Sequence, residues 1–232
     1  MSVRNLPEKY VDFGMNFPPL YLFSGLGADE RMFQFLRLRH PAPVVVQWVS
    51  PEPGATLAHY ARQLLPQLQA ATEPPVLVGL SFGGMVAQEI AKLIPVRKVI
   101  LLSSLANTEE LPWHYRVGGF LRLQKWLPFG LAQYCPAPGE WLFGARTAQE
   151  KQVFRAILRE TDIDFLRWSL RAILEWRHRA EVSEKLVIIH GDRDKILPVP
   201  HYPHVQLIKG GEHLMVMRRA AEVSSLINAH LT

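Results

Sequence analysis

Cysteine is almost absent: Cys135 stands alone among 232 residues. Without a second thiol the chain has neither an internal disulfide nor a multi-cysteine metal site to organise its fold. No apolar run approaches the ~20 residues needed to cross a bilayer. The opening MSVRNLPEKYVDFGMNF carries charges and a proline where a signal peptide would need an unbroken apolar segment. A cytoplasmic protein with no membrane span is therefore expected. Internal repeats and low-complexity tracts are also missing. The formal charge is +5, but no basic run or nucleic-acid motif concentrates it. About +2 precedes Ser104 and about +3 lies between Leu105 and Ala180, a spread that reads as solvated surface and excludes a nucleic-acid partner.

What is present suits a substantial α/β domain. Hydrophobic residues make up 48% of the chain, enough at this length to bury a sizeable core. Short runs rich in Val, Ile and Leu recur at Leu20–Phe23, Val44–Val49, Pro75–Gly79, Val96–Leu102, Lys185–Ile189 and Val205–Ile208. They mostly do not alternate, as befits parallel strands buried on both faces. Helical spacing fills Asp29–Leu38, Thr56–Leu68, Gly84–Ile94 and Arg219–Leu231. Strand and helix in alternation predict a doubly wound, mostly parallel sheet flanked by helices.

The alternation stops between Leu105 and Ala180. This stretch holds Trp113, Trp126, Trp141, Trp168 and Trp176, and it has no convincing strand. Thr147 is placed to cap a helix on which Val153, Phe154, Ile157 and Leu158 share a face. Phe165, Trp168, Ala172 and Trp176 repeat at three-to-four spacing in a second helix. Three parts are expected: core 1–104, an inserted helical cap 105–180, and core 181–232. Most of the aromatics read as the insertion's own core. A few facing downward, with Trp113, Trp126 and Trp168 the candidates, would give a substrate pocket an apolar roof. Arg116, Arg122, Arg155 and Arg159 read as the solvent face of the cap, with recognition of an anionic tail (a carboxylate or a phosphopantetheine) as the alternative.

The chemistry begins at Gly79-Leu80-Ser81-Phe82-Gly83, a G-x-S-x-G pattern between a predicted strand and a predicted helix. The bland reading is a capping serine in a turn. The sharper one is a nucleophile elbow, whose tight turn needs glycines on both sides and lifts the Ser81 hydroxyl to a helix N-terminus. A serine needs a base, and the base an acid to orient it. KLVIIHGDRDKILP offers Asp194 just past a strand, with Asp192 the alternative two residues earlier; His190, at the strand's end, reads as structural. HVQLIKGGEHLMV places His213 behind Gly210 and Gly211 after the last strand, the candidate base. Oxyanion donors would be the backbone N–H of Phe82 and, from SGLGADERMF, that of Leu26. An ordinary glycine turn before a helix remains open for the latter loop.

Taken in order, these motifs resemble the α/β-hydrolase superfamily over nearly the whole chain. The resemblance implies an α/β-hydrolase fold of about six or seven strands with a helical cap insertion and a site at the sheet's carboxyl edge. Ser24-Gly25 stands where many members have His-Gly. The implied activity is a serine hydrolase acting on an ester or thioester of a small to medium apolar acyl or aryl group, with no metal or organic cofactor. A cofactor-independent lyase, a C–C bond hydrolase or a non-catalytic ligand-binding member are the alternatives.

Overall fold

Leucine, isoleucine and valine runs become strands here because both faces of each can be covered. The computed structural model describes residues 17–68, 73–120 and 133–231. Its strands are β1 Leu20–Phe23, β2 Val44–Val45, β3 Val76–Leu80, β4 Lys98–Leu102, β5 Leu186–Gly191 and β6 Gln206–Ile208. They form one parallel sheet of six strands in the order β2-β1-β3-β4-β5-β6. The helices are α1 Leu57–Leu64, α2 Phe82–Ala91, α3 Trp113–Phe120, α4 Ala137–Phe143, α5 Ala148–Glu160, α6 Ile163–Glu175, α7 Met215–Arg218 and α8 Ala220–Asn228.

Two apolar layers sandwich the sheet. On one side Leu57, Tyr60 and Leu64 of α1 and Phe82, Met85 and Ile90 of α2 pack on Leu77, Leu101 and Ile188. On the other, Met215, Val223 and Ile227 from α7 and α8 pack on Val78, Ile100 and Ile189. Strand order reverses between β1 and β3, so the connections leaving their paired carboxyl ends run to opposite faces of the sheet, the usual place for a site in such sheets.

Two elements differ from the sequence expectation. Asp29–Leu38 forms only one short 3-10 turn, Glu30–Phe33. The Asp29 carboxylate accepts from the Arg31 amide and guanidinium, and the amides of Arg37 and Arg39 turn to Ser224 Oγ and Asn228 Oδ1 of α8 instead of helical carbonyls. The strand expected over Val44–Val49 ends at Val45, because side chains then take its backbone groups. Gln67 binds Gln47 N, and the Tyr60 hydroxyl meets both N and O of Val49.

Between β4 and β5 the chain leaves the sheet as helices α3 to α6. The excursion is pinched shut at its base, where Asn107 bridges Arg179 and Thr108 N donates to His178 O at 2.9 Å. Thr147 caps α5 as expected, in a reciprocal pair with Glu150.

Candidate active site

Ser81 sits between β3 and α2 with φ 51° and ψ −116°, a conformation that side chains rarely tolerate. It is held by three bonds: Ser81 N donates to Leu102 O at 2.8 Å, while Ser81 O accepts from Gly84 N at 2.9 Å and from Ser104 Oγ at 2.6 Å. The flanking glycines are sterically required. A Cβ on Gly79 would overlap the backbone of Gly84, and one on Gly83 would overlap the carbonyls of Phe23 and Ser24.

His213 reaches Ser81 across 132 positions of sequence, its Nε2 3.0 Å from Ser81 Oγ. The loop that carries it leaves β6 through Gly210, at φ 69°, and is then pinned by Leu214 N donating to Phe143 O at 3.0 Å. His213 Nδ1 faces Asp194 Oδ2 at 2.8 Å, and Asp194 Oδ1 accepts from the amides of Ile196 and Leu197. Burial pushes the Asp194 carboxyl up, but the bond and charge of His213 and those two amides outweigh it and hold the carboxyl below its ordinary value. Asp192, the alternative acid, instead accepts from Gly210 N at 2.6 Å on the exposed side of the loop.

His190 is fully buried, and its Nε2 lies 3.2 Å from Leu197 O and 3.5 Å from Asp194 Oδ2. Burial lowers its pKa and so favours the neutral ring, against the pull of Asp194, which favours the charged one.

The loop after β1 runs past the serine: a Cβ on Gly25 would lie 3.9 Å from Ser81 Cβ. It is a turn closed by Ala28 N donating to Gly25 O at 3.0 Å, with Gly27 at φ 66°. Phe82 N is the first amide of α2, a position without an intrahelical acceptor.

Of the aromatics expected over the site, Trp168 is half-buried and edge-on to Phe82, and its Nε1 donates to Ala55 O at 2.9 Å. Trp113 is 74% exposed and stands edge-on to its neighbour His114. Trp126 and Arg122 lie outside the described residues. The Phe82 side chain is wholly buried among Trp48, Phe165 and Trp168 and is core. Arg155 pairs with the buried Glu140 at 2.5 Å, and Arg116 and Arg159 face solvent.

Sequence reading missed several partners. Ser104 follows β4 with no motif of its own, and Thr161, which donates to Gly27 O, comes from 134 positions away. A cleft of about 240 Å³ runs beside the β1 loop, with Ser24, Gly27, Trp48, Thr161 and Phe165 among its walls. Ser81 and His213 are not among them, so the cleft adjoins the triad without containing it. Among the described residues no cluster of three His, Cys, Asp or Glu side chains could hold a metal ion, and no helix is long and apolar enough to cross a membrane.

Comparison with known proteins agrees with this fold. Residues 20–226 match the model of the alpha/beta hydrolase family. A hydrolase from Pseudomonas aeruginosa PA01 is 19% identical with a TM-score of 0.68, covering 92% of this chain and 90% of that one. A thermophilic esterase from Thermogutta terrifontis, solved with malate bound, is 18% identical with a TM-score of 0.60, covering 93% and 91%. The putative non-heme bromoperoxidase BpoC from Mycobacterium tuberculosis H37Rv is 15% identical with a TM-score of 0.67, covering 93% and 95%. At such identities the likeness is one of fold. No curated protein matches the sequence.

Proposed function

Because the chain belongs to the alpha/beta hydrolase family, we propose that it is a serine hydrolase cleaving esters or thioesters through an acyl-enzyme. The observation that carries this reading is the unbroken line from Ser81 Oγ to His213 Nε2 at 3.0 Å and from His213 Nδ1 to Asp194 Oδ2 at 2.8 Å, ending on a strained serine. His213 Nε2 takes the hydroxyl proton as Ser81 Oγ bonds to the substrate carbonyl carbon. The carbonyl oxygen becomes an oxyanion held by the N–H groups of Phe82 and Leu26, with the α2 N-terminus adding its positive dipole end. Collapse breaks the bond to the alcohol or thiol, which leaves with the proton from His213. Water then gives a proton to His213 as it attacks the acyl-enzyme, and His213 passes that proton to Ser81 Oγ as the acid leaves, restoring the resting triad. Asp194 keeps the imidazole oriented and balances its charge while it is protonated.

Helices α3 to α6 act in this reading as a cap. Trp48 and Phe165 line the cleft beside the β1 loop, and apolar walls of this kind favour a small to medium acyl or aryl group with no charge near the carbonyl. The test compares wild type with Ser81→Ala, using a fluorophosphonate probe and then matched p-nitrophenyl esters and thioesters of increasing acyl length. Labelling and turnover in wild type only are expected, with a rate loss of up to about 10⁶ in the variant. Absence of labelling at Ser81 overturns the reading. Labelling without turnover of any ester or thioester points to a C–C bond hydrolase or lyase on the same residues.

A further inference from the structure

The amide of Leu26 belongs to a peptide group whose other end is the carbonyl of Gly25. In a trans peptide the N–H and C=O point in opposite directions, so whatever grips Gly25 O also aims Leu26 N–H. Two donors grip it: Ala28 N at 3.0 Å and the indole Nε1 of Trp48 at 3.3 Å. Ala28 N in turn belongs to the peptide whose carbonyl is Gly27 O, and that oxygen accepts from Thr161 Oγ1 at 2.9 Å. The bonds therefore run head to tail, from the Thr161 hydroxyl through the Gly27–Ala28 peptide and the Gly25–Leu26 peptide to the Leu26 N–H. Chains of this kind polarise one another, each bond strengthening the next donor.

Thr161 is the residue that ends α5, in the helical segment rather than the core. Its hydroxyl proton is shared with Ile157 O, also at 2.9 Å. The fit is close: a Cβ on Gly27 would lie 2.6 Å from Thr161 Cγ2. The neighbouring Glu160 adds an ion pair to Arg31 at 2.7 Å, which fastens the end of α5 to the far side of the same loop.

We propose that Thr161 is a positioning residue for the oxyanion donor Leu26, acting through these two peptide groups. Docking of the helical segment and readiness of the oxyanion site are then one event, and a segment that lifts away takes the alignment with it. The inference rests on the serine-hydrolase reading and deepens it.

The experiment measures kcat and KM for a p-nitrophenyl ester, affinity for a phenyl trifluoromethyl ketone, and thermal melting. Wild type, Ser81→Ala, Thr161→Val and Thr161→Ser are compared. Thr161→Val is expected to lower kcat about tenfold with KM nearly unchanged, less than the hundred- to thousand-fold that follows loss of an oxyanion donor itself. Affinity for the ketone, whose Ser81 adduct carries an oxyanion, should fall in parallel, while Thr161→Ser stays near wild type. Wild-type kcat in Thr161→Val overturns the proposal. So does an equal loss in Thr161→Ser, or a lowered melting temperature and raised KM without loss of ketone affinity. A wild type no more active than Ser81→Ala overturns the hydrolase reading itself, an outcome read from a different pair of proteins.

Discussion

The Nδ1 of His213 stands 2.8 Å from Oδ2 of Asp194, and both side chains are almost completely buried. Asp192 is close in sequence but serves the turn, through Gly210 N. Asp194→Asn should leave the fold intact and lower kcat by about 10⁴, because an amide favours the wrong imidazole tautomer. Asp192→Asn should stay within a few-fold of wild type. Ester turnover by the two purified variants decides between them, and the reverse ranking would exchange their roles.

Gly83 lies where the start of α2 touches the end of β1, and a methyl group there has only the Phe23 and Ser24 carbonyls to move. Gly83→Ala should cost about 2–4 kcal/mol of stability and disturb the elbow with it. Gly139→Ala is the matched control. Its Cβ would meet only the Phe154 ring edge, at 3.0 Å, which can swing aside. Urea unfolding of both variants gives the comparison, and equal midpoints would contradict the close approach of α2 and β1.

The parts of this architecture that could be read in advance are those whose signal is local. Non-alternating apolar runs marked the strands, and Ser81, Asp194 and His213 each follow a strand end with a glycine nearby, a pattern contained within a dozen residues. What escaped depends on partners far along the chain. Asp29–Leu38 has helical spacing, yet Ser224 and Asn228 draw off the amide of Arg37 within it and that of Arg39 just beyond. Trp113 reads as a buried aromatic by type but faces water. Thr161 shows nothing in its own surroundings that names Gly27, since only tertiary packing brings the end of α5 against the β1 loop.

Acid should weaken the protein through histidines held neutral. His178 lies parallel to Trp176, ring centroids 4.9 Å apart, with Nε2 3.1 Å from Gln88 Oε1. Burial, helped by Lys92, pushes its pKa down to about 4. The unfolded chain binds that proton near pH 6.5, so the contribution of neutral His178 is complete above about pH 6.5 and is lost as pH falls toward 4. His40, His190 and His230 are shifted in the same direction, each mainly by burial. His178→Gln keeps a polar partner for Gln88 and should show a shallower fall in melting temperature between pH 6.5 and 4. A slope identical to wild type would mean that His178 does not take up its proton on unfolding in that range.

Glu212 immediately precedes the candidate base and ties three segments together. It pairs with Arg146 of the helical segment at 2.5 Å and with Lys195 beside the candidate acid. The Arg146 bond, with Lys195 and against some burial, holds its carboxyl down to about 2. A depressed carboxyl stabilises the fold above its unfolded value of about 4.3, and that stability disappears as pH falls through 2. The Glu212 carboxylate is only 11% exposed, but Arg146 and Lys195 keep 37% and 29% of their side chains in water, so each pair is worth about 1 kcal/mol or less and weakens with salt. Glu212→Gln should therefore melt slightly below wild type at pH 7 in low salt, with the gap narrowing in concentrated NaCl and closing near pH 2. Melting curves of both proteins over that pH and salt grid are the check. A gap that persists at pH 2 would assign the effect of Glu212 to packing against Gly144 rather than to charge.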